Sequence, residues 1–308
     1  MMKKPGMALC AALVGLAAAA SATSMIQTPR PPEIQTDDVS RFYRLYDATN
    51  GRPTAAQLQR DYLDVGTDGL RSFANARNTT ADRIAAAIAA QPQLYADARR
   101  CADTLPRVKP RLAQALAALS EIYPTARLPP VTIAVGRGKP VGIGSPVTGL
   151  QIGLEALCGV TYFAANLEDR FVHVISHEYV HVQQQREMVD ATNPTVLEAS
   201  LMEGGAEFIG ELISGGVTYA QHARVTRGRE AEIETAFVAD MDKRDLSAWL
   251  YNGTMDKAGD LGYWVGWRIC KAYYKNATDK QAAVRDIIEM RDAKAFLAKS
   301  GWRPGMAL

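Results

Sequence analysis

The sequence predicts an α+β protein, predominantly helical, with one small β-sheet. Three observations carry that prediction. Apolar residues recur at helical spacing from Asp37 to about Tyr123, in RFYRLYDA, QLQRDYL, ADRIAAAIAA and RLAQALAALSEIY. After Pro129-Pro130 the pattern changes to VTIAV (131–135), the turn-prone GRGKP and GLQIGLEAL, read as a further extended segment. The stretch VHVISHEYVH (172–181) then returns to helical spacing and carries three of the chain's four histidines.

The N-terminus comes first in order. Lys3 and Lys4 precede the apolar run MALCAALVGLAAAA and the small residues Ala20-Ser21-Ala22. A basic start, an apolar stretch too short for a comfortable span and an A-x-A site predict a bacterial-type signal peptide over 1–22, cleaved after Ala22. An uncleaved N-terminal anchor is the alternative. Export to the periplasm or the medium follows as an expectation, and no second run long enough for a membrane span remains after cleavage. Cleavage would leave Cys101, Cys158 and Cys270, so an oxidising compartment permits one disulfide. Cys101–Cys158 is the preferred pair, and three buried thiols are the alternative.

The polar, proline-rich 23–36 reads as a linker, 37–125 as an N-terminal helical region and 126–308 as the region that carries the chemistry; alternatively 37–308 is one continuous domain. At 308 residues the chain can bury a core without staples. A net charge of only +2 argues against a nucleic-acid partner. The glycines of VGIGSPVTG (141–149) leave a bare backbone, read either as a surface loop or as an exposed strand edge to which an extended peptide could pair.

The histidine helix is expected to start at Asn166, a good N-cap, with Glu168 and Asp169 in its first turn. Val172, Ile175, Tyr179 and Val182 fall on one face, and His177, Glu178 and His181 project elsewhere. A second helix begins after Asn193-Pro194 with the capping box Thr195/Glu198 and ends at Gly215-Gly216. Further helices are expected around 219–242, 260–275 and 280–298.

HEYVH is an H-E-x-x-H motif. Histidines four apart lie one turn from each other on the same helix face, so both imidazoles can reach one zinc ion, and the intervening glutamate can take a proton from bound water. This spacing selects His177 and His181 with Glu178 between them. His173 shares the four-residue interval but would put Val174 in the base position, so it is read as a neighbour. A catalytic zinc needs a third protein ligand and an open position. Gln184 and Glu187 stand where a further glycine and histidine would complete one known extension of the motif, which excludes it. The remaining candidates are Glu187, Glu198, Glu203, Glu207 and Glu211. Glu187 would need a sharp turn, and Glu198 is taken by its capping box. Glu203 in LMEGGAEFIGEL is preferred, with Gly204-Gly205 expected to allow close approach to the histidine helix. Glu207, one turn later, is placed to hydrogen-bond a ligand histidine and fix its orientation. For stabilising an oxyanion the candidates are Tyr263, in LGYWVG, and His222.

HEYVH followed by EGGAEF resembles the gluzincin pattern. With FYRLYDA, DYLDVGTDGL, VGIGSPVTGLQIGLE, LGYWVGWRI and FLAKSGW, the chain is similar to a predicted zinc-dependent protease family of uncharacterised exported bacterial proteins. The resemblance implies a zincin-like catalytic core of a small β-sheet, an active-site helix and a glutamate helix. It implies one zinc per chain at His177, His181 and Glu203, Glu178 as base, and a peptide or protein substrate. Rival expectations are a zinc amidase acting on cell-wall peptide, a non-catalytic exported binding protein with the same fold, and a helical protein without metal.

Overall fold

Among the described residues, seven helix starts are fixed by short polar side chains. Thr54, Thr67, Thr80, Asn166, Thr195, Asp279 and Asp292 each accept a hydrogen bond from a backbone N–H in the first turn of the helix that follows. The computed structural model describes residue 1 and residues 31–145, 148–254 and 259–308. The expected signal peptide and most of the expected linker lie outside the described residues.

The result is α+β and predominantly helical around a small mixed sheet, as the sequence predicts. The sheet has four strands, β1 (Ile34–Gln35), β2 (Val131–Ala134), β3 (Gly142–Ser145) and β4 (Gly149–Gly153), in the order β1-β2-β4-β3. The β1–β2 and β2–β4 pairs are parallel, and β3 runs antiparallel to β4 at the edge. β1 comes from the end of the stretch read as linker. Ile34 and Gln35 pair with Val131 and Thr132, so these two residues belong to the sheet.

The region read as helical from Asp37 to Tyr123 is so, ending in a long helix, Leu105–Ile122, whose buried face is Leu105, Val108, Leu112, Ala115, Leu116 and Leu119. That face packs on the histidine helix, Leu167–His181. The glutamate helix, Val196–Ser214, lies against both the histidine helix and the tyrosine helix, Leu261–Asn276. The expected helix over 219–242 is in fact a short turn of helix, His222–Val225, and a separate helix, Glu230–Asp240, while 280–298 divides into Lys280–Ile288 and Ala293–Ser300. Each division falls at a point where a side chain or glycine takes over the backbone, Gly228 at φ +75° in the first and the Asp292 cap in the second.

Cys101 and Cys158 form a disulfide that ties the N-terminal helices to the segment after β4, and Cys270 is a buried free thiol. Among the described residues no helix is long and apolar enough to cross a membrane.

Candidate metal centre

Two helices bring the chemistry together. The histidine helix starts at Asn166, whose side chain accepts from the N–H of Asp169. Val172, Ile175, Tyr179 and Val182 are buried on its core side. The glutamate helix starts at Thr195, with its capping box to Glu198 formed in both directions, and ends at Gly215 in the left-handed region. Glu198 is thereby occupied, and Glu187 lies exposed on a separate short helix, Arg186–Val189.

Of the acidic candidates, Glu203 meets the histidines. Ligand atoms of His177, His181 and Glu203 all lie within 4.8 Å of one another. His177 Nε2 and His181 Nε2 are 3.1 Å apart, and Glu203 Oε2 is 3.3 Å from the first and 3.1 Å from the second. Donors bound to a tetrahedral zinc at about 2.0–2.1 Å stand about 3.3 Å apart, so the triangle has the right size for that ion.

The tautomers make the case sharper. His177 Nδ1 lies 3.0 Å from Glu207 Oε2, which accepts only, so Nδ1 carries the proton. His181 Nδ1 lies 2.7 Å from Gln184 Oε1, and Gln184 Nε2 donates to the Met202 carbonyl at 2.7 Å. That second bond fixes the amide and makes its oxygen the acceptor, so the Nδ1 of His181 also carries a proton. In the neutral rings both Nε2 atoms therefore present lone pairs to each other and to a carboxylate oxygen. In that neutral state three electron-pair donors converge on one point, and the same point takes up a proton or a cation.

The site's electrostatics agree. His177 and Glu203 are 4 % and 6 % exposed. Burial disfavours a charged His177, but hydrogen bonds and the field of Glu203 and Glu207 outweigh it and push its pKa up to about 10. Burial opposes charge on His181 too, and Glu203 reverses the effect, raising its pKa. Burial would raise Glu203 and Glu207, yet the two histidines beside Glu203 and His177 beside Glu207 bring both below the usual carboxylate range. The pocket is built to hold positive charge, as protons or as a cation.

Glu178 is half-buried beside His181, close enough for its charge to bear on His181 and on Tyr251. It also lies against the edge strand: a Cβ on Gly142 would stand 3.0 Å from its Cδ. His173 lies outside the triangle, with Nδ1 2.9 Å from Ser214 Oγ and its ring packed against Gly216. Tyr263 is buried on the tyrosine helix with its ring stacked on His177, centroids 5.9 Å apart. His222 stacks on Tyr219 and places Nε2 2.8 Å from the Gly259 carbonyl, which commits that nitrogen as a donor.

The glycines act differently from the sequence expectation. Gly204 does not face the histidine helix. A Cβ there would lie 2.2 Å from the Gly266 carbonyl carbon on the tyrosine helix. The close approach to the histidine helix is at Gly210, where a Cβ would stand 3.3 Å from the backbone of His177. Gln184 and Tyr251 join the site in addition to the residues that the motif spacing predicts. Gln184 had a legible signal, since it follows His181 by three residues; Tyr251, in LYNG, had none.

The fold and the buried His177/His181/Glu203 cluster are compatible with a metal site. A family model described as a predicted Zn-dependent protease (DUF2268) matches residues 155–296, a span that contains the histidine, glutamate and tyrosine helices. The match supports a zinc-dependent protease at a coarse level. No curated protein and no solved structure matches the chain.

Proposed function

We propose that the protein is an exported zinc metallopeptidase of gluzincin type. The observation that carries this reading is the convergence of three lone-pair donors, His177 Nε2, His181 Nε2 and Glu203 Oε2, at 3.1–3.3 Å from one another. These three residues would hold one zinc. When bound, zinc supplies a water of lowered pKa and polarises the scissile carbonyl. Glu178, at the edge of the site, takes a proton from the attacking water and passes it to the leaving amine. Glu207 fixes the ring of His177, and Tyr263 is the oxyanion donor carried forward from the sequence. β3, at the edge of the sheet with glycines toward the histidine helix, offers a backbone to which an extended peptide can pair. Export is supported by the Cys101–Cys158 disulfide, a bond typical of oxidising compartments.

The test is metal analysis of the purified protein together with cleavage of a broad peptide library. One zinc per chain and peptide-bond cleavage, both lost in His177→Ala and Glu203→Ala, are expected. Stoichiometric zinc surviving Glu203→Ala would overturn the ligand set, and zinc without cleavage of any peptide would overturn the peptidase reading.

A further inference from the structure

Each of the three converging side chains is held at its other end. His177 is held through Nδ1 by Glu207, and His181 through Nδ1 by Gln184. Glu203 is held through Oε1, which accepts from the hydroxyl of Tyr251 at 2.9 Å while Oε2 faces both histidines. We propose that Tyr251 is the positioning residue of Glu203, keeping its carboxylate in the site through one oxygen only and so preserving an open coordination position. This inference rests on the zinc reading above.

A carboxylate with both oxygens free can bind a metal through both, and the second oxygen would then take the place needed by water. A hydrogen bond to Oε1 turns that oxygen toward the phenol and away from the triangle. A tyrosine supplies this bond well, because its hydroxyl donates to the carboxylate and brings no charge that competes with the metal.

The backbone points the same way. Tyr251 sits at φ +56°, in the left-handed region. For a bulky aromatic residue this is a genuine outlier, and such conformations persist where the surroundings over-determine them, often at functional sites. The surroundings here do so. The N–H of Asn252 donates to Asp260 Oδ1 at 2.8 Å, and the N–H of Asp260 donates to Asn252 Oδ1 at 2.7 Å. Asp260 Oδ2 accepts from Tyr219 Oη at 3.1 Å, and the N–H of Tyr219 donates to Glu207 Oε1 at 3.1 Å. Asn252, the residue next to Tyr251, is therefore tied through Asp260 and Tyr219 to the carboxylate that holds His177. Core packing does not account for the residue's placement, because Tyr251 is 60 % exposed.

The experiment uses the full chain with Tyr251→Phe and Tyr251→Gly. It reads zinc affinity by chelator competition, the visible spectrum of the cobalt(II)-substituted protein, and thermal unfolding of the metal-free form. Tyr251→Phe is expected to weaken zinc roughly 10- to 100-fold and to reduce the intense four-coordinate cobalt bands as the carboxylate takes up both oxygens. Tyr251→Gly should weaken zinc equally while metal-free thermal stability holds or rises, because glycine adopts positive φ without strain. Unchanged zinc affinity and a superimposable cobalt spectrum in Tyr251→Phe, with zinc still bound by the wild type, would overturn the assignment alone. Affinity and metal-free stability falling together in both variants would overturn it in favour of a purely structural role. A wild-type chain that binds no zinc would overturn the metal reading and this inference with it.

Discussion

Gly204 and Gly266 meet backbone to backbone across the glutamate and tyrosine helices. A Cβ on Gly204 would stand 2.2 Å from the carbonyl carbon of Gly266, and one on Gly266 would stand 1.7 Å from the carbonyl oxygen of Ser200. The residue before Gly204 is Glu203, so the contact that lets these helices touch also sets the height of that carboxylate over the histidines.

Gly204→Ala should therefore cost more than its helix propensity returns. Overpacking typically costs about 1–3 kcal/mol, and backbone atoms cannot move aside as a flexible side chain can. Lower thermal stability together with reduced zinc content is expected. Unaltered zinc content in a folded variant would separate the helix contact from the metal site.

Glu178→Gln should retain one zinc per chain and lose peptide cleavage by roughly 100- to 10,000-fold, the usual scale for removing a general acid–base group. The amide is isosteric, so the contact with Gly142 survives. Parallel zinc and turnover measurements decide the matter; full activity in the variant would remove Glu178 from the mechanism.

His173→Ala separates the histidine row. Its Nδ1 is bonded to Ser214, away from the cluster, so zinc content should match the wild type with a stability loss of about 1 kcal/mol. Loss of zinc comparable to that in His177→Ala would show that the wrong pair had been assigned.

The metal-free protein should show a distinct pH profile. The folded pKa of His177 lies near 10, above its ordinary value of 6.5, so its stabilising contribution is complete below about pH 6.5 and is lost as pH rises toward 10. Glu203 and Glu207 are shifted down, so their contribution is present above about pH 4.5 and is lost on acidification. The site's own contribution, read as the difference in thermal unfolding between the metal-free wild type and His177→Ala across pH, should be largest between about pH 4.5 and 6.5. Zinc should flatten the alkaline fall, because the cation takes the place of the proton on His177. An alkaline limb identical with and without zinc would contradict this account.

Cys101→Ser/Cys158→Ser should lower stability by up to about 4 kcal/mol, the chain-entropy value for a loop of this length, given a sequence separation of 57. Denaturant unfolding of the double variant measures it.

Much of the fold was legible because local signals agree with it. Asn166 and Thr195 cap the helices that carry the site, Gly215 ends the second, and the apolar spacing of Val172, Ile175, Tyr179 and Val182 marks the buried face. The histidine interval and the acidic EGGAE segment led to the three side chains that the fold brings together. What escaped was set by contacts between helices. Nothing in GGAEFIG says that Gly204 meets Gly266 while Gly210 meets His177, because both glycines are equally permissive in sequence. Tyr251 escaped because 48 residues separate it from Glu203 and the two meet through a hydrogen bond formed in the folded chain.

That separation sets an order of assembly. His177 and His181 share one helix, but Glu203 reaches them from a second helix and is itself held from a loop beyond it. An unfolded chain offers the metal isolated donors with no fixed geometry, whereas the folded one offers them already aimed. On the zinc reading, tight metal capture is therefore expected to follow folding, with the cation binding a finished scaffold.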